Sequence, residues 1–551
     1  MSNTILPTLK PEQITLDLCF ALSGLERNAS SEQFYRDNLE VISKWLCSSE
    51  FSQGYIIANK IEQNEQSYTI KPFAPLTNPS KIEWREIPAW AAWALNYPIL
   101  PVYNFIIYGS HAVGMHSMMP AFLRLCKCYR VEYTEAAKAT KDAYKIYENL
   151  YERLIYAFRL KESGKISSIA LMVSDAIDGA DKLYALIDAR KALNIVRDPI
   201  SVLKALCNTM HSAWNIAYLS ASQQKTMLEA NNAASGLASG SAQDTCQKPD
   251  LNLLSNGGRY ALSFEIDPKD AIKDILYAAN ANNLLSQRFK TKPNARSLDF
   301  WLQNPHQVFH DDFLSAKLAL KEVVLLDMSA FSAQRAFDTF KTLSGIFGFE
   351  APNERDKELF SMRTSDYQFF YPVVIYADES AELYSIKKAY DSLNDEQWAQ
   401  YLANAKAKGV RVFLRTKLSE STLSEHEIDA SKHFDLPSVY ELIVLSEDDF
   451  KRITSPALKP KLQSYINAAI SHINDEIARQ KELFLKEDDI LAHLSKSPKH
   501  RAMLSDMLNK HLSFVKTHRP QIIGEWKYYE RFLGLCKKDD VMYMPKESKS
   551  F

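Results

Sequence analysis

Several signals that would classify a 551-residue chain at once are missing. Neither sign of charge dominates: 66 Lys and Arg stand against 67 Asp and Glu, for a formal net charge of −1. That removes the long-range attraction expected of a nucleic-acid binder, although a local basic cleft remains compatible with it. The seven cysteines, Cys19, Cys47, Cys126, Cys128, Cys207, Cys246 and Cys536, show no repeated spacing. Structural zinc sites pair one C-x₂₋₄-C with a second, and only Cys126 and Cys128 lie close together, so no metal site is expected. An odd set of scattered thiols points to a reducing, cytoplasmic setting. The first residues, MSNTILPTLKPEQ, lack the basic and apolar regions of a signal peptide. A spanning helix needs about 20 mostly apolar residues. The most apolar stretch, Trp90 to Ile107, is interrupted by Asn96, Pro98, Pro101 and Asn104, and reads as buried interior ending in a strand. Walker A, H-E-x-x-H, G-x-S-x-G and G-x-G-x-x-G patterns are missing where their chemistry would need them.

What is there is ordinary globular composition, 46% apolar and 24% charged, in a chain long enough for about three domains. Residues 1–100 form an N-terminal extension punctuated by Pro72, Pro75, Pro79 and Pro88. Short β-branched and aromatic runs follow at Tyr103–Tyr108, Ile169–Val173, Leu193–Val196 and Val323–Leu326, with helical periodicity between them. Strands alternating with helices predict an α/β fold with a parallel sheet and crossover helices over residues 101–375. Residues 221–250, small and polar, read as an insert into this core. Beyond 375 the chain is expected to be mostly helical, with charged helices at Leu462–Leu485 and Asp489–Phe514.

Two segments carry chemistry. The first is YGSHAVGMHS, Tyr108–Ser117, between a strand and a helix. Such a turn gathers free backbone N–H groups and the positive helix dipole, which suits an anion. Gly109 and Gly114 permit close backbone approach, and Ser110 and Ser117 add hydroxyl donors. His111 and His116 titrate near neutrality and are candidate general bases. Asp175, just past the second strand, is a third candidate, although VSDAIDGADK also suits a helix cap. The second segment is NIVRDPISVLKAL. Arg197 sits at the carboxyl end of a strand, where open α/β sheets bind ligands, and its planar fork suits a phosphate. Asp198 and Pro199 fit a capped helix start, the plain structural reading of the same residues.

V-R-D-P followed by an apolar helix resembles the 3′-phosphate-binding motif of sulfotransferases. VVLLDMSAFSAQRAFDTFKTLSGIFGFEAP, Val323–Pro352, is similar to that family's late strand–helix segment, and the order of the three pieces agrees. This chain has Ala205 where the family usually has Ser, with Ser201 and Lys204 on the same helix as substitutes. It also lacks a Lys or Arg in the first loop. NFIIYGSHAVG, IVRDPISVLKAL and RPQIIGEWKYYERFLGLC further resemble large proteins of bacterial surface-polysaccharide loci, some of them linked to adding phosphoramidate-type groups to capsular sugars. The resemblance implies a P-loop sulfotransferase-like core that uses a 3′-phosphorylated nucleotide donor like 3′-phosphoadenosine 5′-phosphosulfate. It implies transfer of a sulfuryl or phosphoramidate-type group to a sugar hydroxyl of a surface polysaccharide. Gly109, Ser110, Gly114, Ser117, Arg197, Ser201 and Lys204 would then bind the donor, and His111, His116 or Asp175 would take the proton. The Lys-rich stretch near Lys496–Arg501 and the tail read as solvated faces, or as a patch for peripheral association with the inner face of the membrane. A glycosyltransferase of capsule or lipopolysaccharide synthesis and a non-catalytic nucleotide-binding scaffold are the alternatives; the former would usually carry an Asp-x-Asp metal motif.

Overall fold

The computed structural model describes residues 8–59, 67–133, 137, 140–174, 176–188, 190–209, 260–263, 298–303, 308–364, 371–378, 409–418 and 427–543; the 221–250 insert and Asp175 lie outside them. Two strands, β1 (Ile56–Asn59) and β2 (Ser67–Ile70), pair as an antiparallel hairpin in the N-terminal extension. Five more form the central parallel sheet: β3 (Phe105–Gly109), β4 (Cys128–Val131), β5 (Ser168–Val173), β6 (Lys191–Val196) and, later in the chain, β8 (Glu322–Asp327). Their order is β4-β5-β3-β6-β8, with every pairing parallel.

All four expected strands are present, within two residues of their expected limits. Their sequences are nearly continuous apolar runs because both faces of a parallel sheet are covered. Side chains alternate between two cores. Phe105, Ile107, Ala170, Met172, Leu193, Ile195 and Leu325 belong to one, which also holds the C-terminal helices. Ile106, Tyr108, Val131, Ile169, Leu171, Val173 and Ala192 belong to the other, which is closed by the N-terminal extension and by the helix Ala143–Glu162. The extension is therefore the cover of one sheet face. The helical pattern before the third strand forms a helix only over Asp181–Ala185, and β6 begins at Lys191.

In the second half, strands accompany the expected helices. Strand β7 (Tyr260–Ser263) pairs in parallel with β9 (Val373–Ala377). Strands β10 (Val410–Thr416), β11 (Ile428–Asp429) and β12 (Tyr440–Val444) complete a second, mixed sheet in the order β11-β12-β10-β9-β7. From Glu447 onward the described residues are mostly helical, Lys459–Leu483 being the longest helix among them; the expected Asp489–Phe514 helix is broken into Glu487–Ser495, Pro498–His511 and the start of Ser513–His518. An ion network ties the second sheet to the first. Glu441 on β12 accepts from Arg124, on the helix Met118–Leu125, at 2.7 Å and from Arg415 on β10 at 2.8 Å; Arg415 also pairs with Glu427 at 2.8 Å. Among the described residues, no helix is long and apolar enough to cross a membrane.

Candidate functional site

The strand order has a switch point between β3 and β6. From β3 the chain runs outward to β4 at one edge; from β6 it runs the other way to β8 at the opposite edge. Adjacent parallel strands whose connections diverge leave an opening at their carboxyl ends, where open α/β sheets hold ligands. The two chemistry-bearing segments leave these two strands.

β3 ends at Gly109, in register with Ile195 of β6. A Cβ there would stand 2.8 Å from the Ile195 carbonyl oxygen, so no larger residue lets the strands approach this closely. The loop beyond turns through two left-handed residues, Ala112 at φ 60° and Gly114 at φ 81°, and Gly114 accepts hydrogen bonds from the Met118 and Met119 amides as the next helix begins. Ser110 is buried, its hydroxyl accepting from the His310 amide at 3.2 Å. Ser117 precedes the helix without a side-chain capping bond. Arg197, one residue beyond β6, donates from Nη1 to the Ala112 carbonyl at 2.8 Å. The guanidinium and the glycine turn therefore meet across the switch point. Burial lowers the Arg197 pKa; Glu487, Asp198 and Asp327 oppose that shift while Arg363 adds to it. Arginine nonetheless stays charged in proteins, so the switch point carries a fixed cation.

Asp198 acts as the helix cap expected of it. Its Oδ1 accepts from the Ile200 amide at 2.9 Å, while Oδ2 accepts from the Tyr528 and Tyr529 amides at 3.0 and 3.2 Å. The same carboxylate thus also receives the start of the C-terminal helix Lys527–Tyr543. Ser201 and Lys204 both engage Glu487 Oε1 at 2.8 Å, an arrangement that commits them to protein contacts. Asp327, at the end of β8, accepts from the Trp526 indole at 2.7 Å and caps the short turn after it through the Ser329 amide. Trp526, Tyr529 and Phe532 are buried in the core, as helix packing requires.

His111 and His116 lie with ring centroids 6.1 Å apart, and His111 meets the His310 ring edge-on at 5.1 Å. His310 is buried at the head of the helix Asp311–Lys317. One residue not anticipated from the sequence joins them. Glu132, immediately after β4, holds Arg130 at 2.7 Å and Ser174 at 2.6 Å, with His116 Nδ1 at 3.5 Å. Its signal in the sequence is faint: a charged pair, Arg130 and Glu132, around the end of a four-residue strand. Among the described residues, no group of three or more His, Cys, Asp and Glu side chains is arranged to hold a metal ion.

Residues 325–538 match a family model described as a protein of unknown function (DUF2972). The match runs from within β8 through β9 to β12 of the second sheet and into the C-terminal helix. No curated protein and no solved structure matches the chain.

Proposed function

We propose that the crevice between β3 and β6 binds the phosphates of a 3′-phosphorylated nucleotide donor, and that the protein is a transferase. It passes a sulfuryl or phosphoramidate-type group to a sugar hydroxyl of a surface polysaccharide or its precursor. The observation that carries this reading is the Arg197–Ala112 contact. It joins a strand-tip guanidinium to a glycine turn at the one place in the sheet where adjacent connections diverge.

The chemistry is an in-line displacement. The acceptor oxygen bonds to the sulfur or phosphorus centre, the bond from that centre to the donor's bridging oxygen breaks, and its electron pair leaves with the nucleotide phosphate. A base removes the hydroxyl proton. Most of the catalysis in such a transfer comes from alignment and from neutralising charge on the phosphates. The remaining N–H groups of Arg197 serve the second purpose. Ser201 and Lys204 would have to leave Glu487 to reach a ligand, so the reading leans on Arg197.

The test is calorimetric titration with adenosine 3′,5′-bisphosphate, adenosine 5′-monophosphate and a UDP-sugar. The protein is expected to prefer the bisphosphate. Arg197→Ala should erase that preference, a charge-assisted pair being worth about 1.5–3 kcal/mol. If parent and variant discriminate between bisphosphate and monophosphate equally, the assignment of Arg197 is wrong. Preference for the UDP-sugar would move the protein to the glycosyltransferase class.

A further inference from the structure

The polar groups on the other side of the β3 turn do more than a structural ion pair requires. Arg130 and Glu132 lie two residues apart at the end of β4, so they share one side of the strand. Their side chains are about one-tenth exposed or less. The pair is charge-neutral by itself at 2.7 Å. Yet two further elements contribute. Ser174, just past β5, donates its hydroxyl to the second carboxylate oxygen at 2.6 Å. His116, from the loop after β3, presents Nδ1 to the oxygen that Arg130 already holds, at 3.5 Å. Three neighbouring strands thus converge on one carboxylate at the carboxyl edge of the sheet, beside the proposed donor crevice. Burial would raise the Glu132 carboxyl; the charges of His116 and Arg130 and the hydrogen bonds from His116 and Ser174 hold it well below the usual range. It is an anion at any physiological pH.

The two candidate histidines are therefore not equivalent. The His116 imidazole is about two-fifths exposed and has a carboxylate behind it. His111 packs between His116 and the ring of the buried His310, its amide donating to the Val308 carbonyl. A carboxylate at Nδ1 fixes the tautomer in which Nε2 accepts a proton and steadies the imidazolium that results.

We propose that His116 is the residue that takes the acceptor's hydroxyl proton and that Glu132, fixed by Arg130 and Ser174, is its positioning residue. This inference rests on the transferase reading above. In the step, the proton moves from the attacking hydroxyl to Nε2 of His116 as the new oxygen bond forms. Among the described residues, the charged and titratable groups around the imidazole include Glu132 and Arg130 from β4, His111 from its own loop and, beyond His111, His310.

The full chain is mixed with 3′-phosphoadenosine 5′-phosphosulfate and a panel of monosaccharide acceptors, and release of adenosine 3′,5′-bisphosphate is followed from pH 5 to 9. Bisphosphate affinity is measured in parallel. His116→Ala should lower release on the order of 10²-fold or more while leaving bisphosphate affinity within about twofold, whereas His111→Ala should lower release much less. Glu132→Gln should move the acidic limb of the profile down by about one pH unit and Glu132→Asp should restore much of the parent profile. Ser174→Ala, which removes one hydrogen bond and no charge, leaves the Glu132 anion in place and should hold the acidic limb near the parent's; His116, about two-fifths exposed, tolerates substitution, so the result does not hang on the fold tolerating Glu132→Gln. The inference is overturned if His116→Ala releases product like the parent, or if the acidic limb stays put in Glu132→Gln or moves as far in Ser174→Ala. It is equally overturned, with the donor-site reading intact, if the parent binds the bisphosphate but releases none at any pH. Failure of the parent to bind the bisphosphate would bring down both.

Discussion

Replacing Asp198 with Ala should loosen the C-terminal helix before it disturbs the sheet. Asp198 caps two helices at once, taking the Ile200 amide on one oxygen and the Tyr528 and Tyr529 amides on the other. Losing an N-cap costs about 0.5–2 kcal/mol per helix, and a buried amide left without an acceptor adds about 1–3 kcal/mol. The contributions overlap, so about 2–4 kcal/mol is expected. At a tenfold change for each 1.4 kcal/mol, that amounts to about 30-fold to nearly 1,000-fold in the opening equilibrium of the helix. Amide hydrogen exchange is the assay. Protection of Lys527–Tyr543 should fall by such a factor while amides of β3 and β6 keep theirs, because helix ends open locally at lower free energy than a buried parallel sheet. Asp198→Asn, which retains one acceptor oxygen, should fall between parent and Ala. A uniform rise in exchange over the whole chain, or a change below about threefold at the C-terminal helix, would refute the assignment of Asp198 as the junction.

Gly109→Ala should cost about 1–3 kcal/mol as an overpacked core position, since the added methyl meets the Ile195 carbonyl at 2.8 Å and the Met115 sulfur at 3.2 Å; thermal unfolding unchanged from the parent would contradict the close strand contact. Lys182, buried against Trp93 with Nζ 2.6 Å from the Ser23 carbonyl, is pushed down to about 7 by burial. Between about pH 7 and 10 the unfolded chain therefore binds a proton that the folded chain does not, and stability should rise with pH through that window by up to about 1.4 kcal/mol per unit. Lys182→Met should unfold at a higher temperature than the parent at pH 7, with the gap narrowing toward pH 10. A constant difference between the two proteins over that range would be evidence against the shift.

The parts of this fold that could be read from the chain are those in which one residue type fills both sides of a strand. NFIIYG, SIALMV and ALNIV are continuous apolar runs because each is covered on both faces, and such runs stand out in a sequence. Strand β4 does not stand out. It has four residues, CYRV, and includes a buried arginine whose partner, Glu132, appears only once the strand is placed next to β5. The second sheet was hidden for a related reason. VRVFLRT has the alternation of a strand, but it stands alone in a charged stretch, and its Arg415 is compensated only by Glu441 and Glu427 from elsewhere in the chain. Arg197 and the glycine turn were legible as separate motifs, each with a strand before it and a helix after it. That they touch is a property of strand order, which pairs β3 with β6 over β5's crossing connection and which no local pattern encodes. The commitment of Ser201 and Lys204 to Glu487, some 280 residues away, was beyond reach for the same reason.

Strand β8 arrives late, after more than a hundred residues that follow β6, yet it completes the edge of the first sheet and opens directly into the elements of the second half. A fragment beginning at Leu325 would hold only the last three residues of that strand, with no β6 beside it and with Trp526 facing an Asp327 on a frayed end. A fragment ending before it would leave β6 as an unsheltered ribbon, and unsheltered strand edges recruit other chains. Neither half is a natural unit for expression or crystallisation.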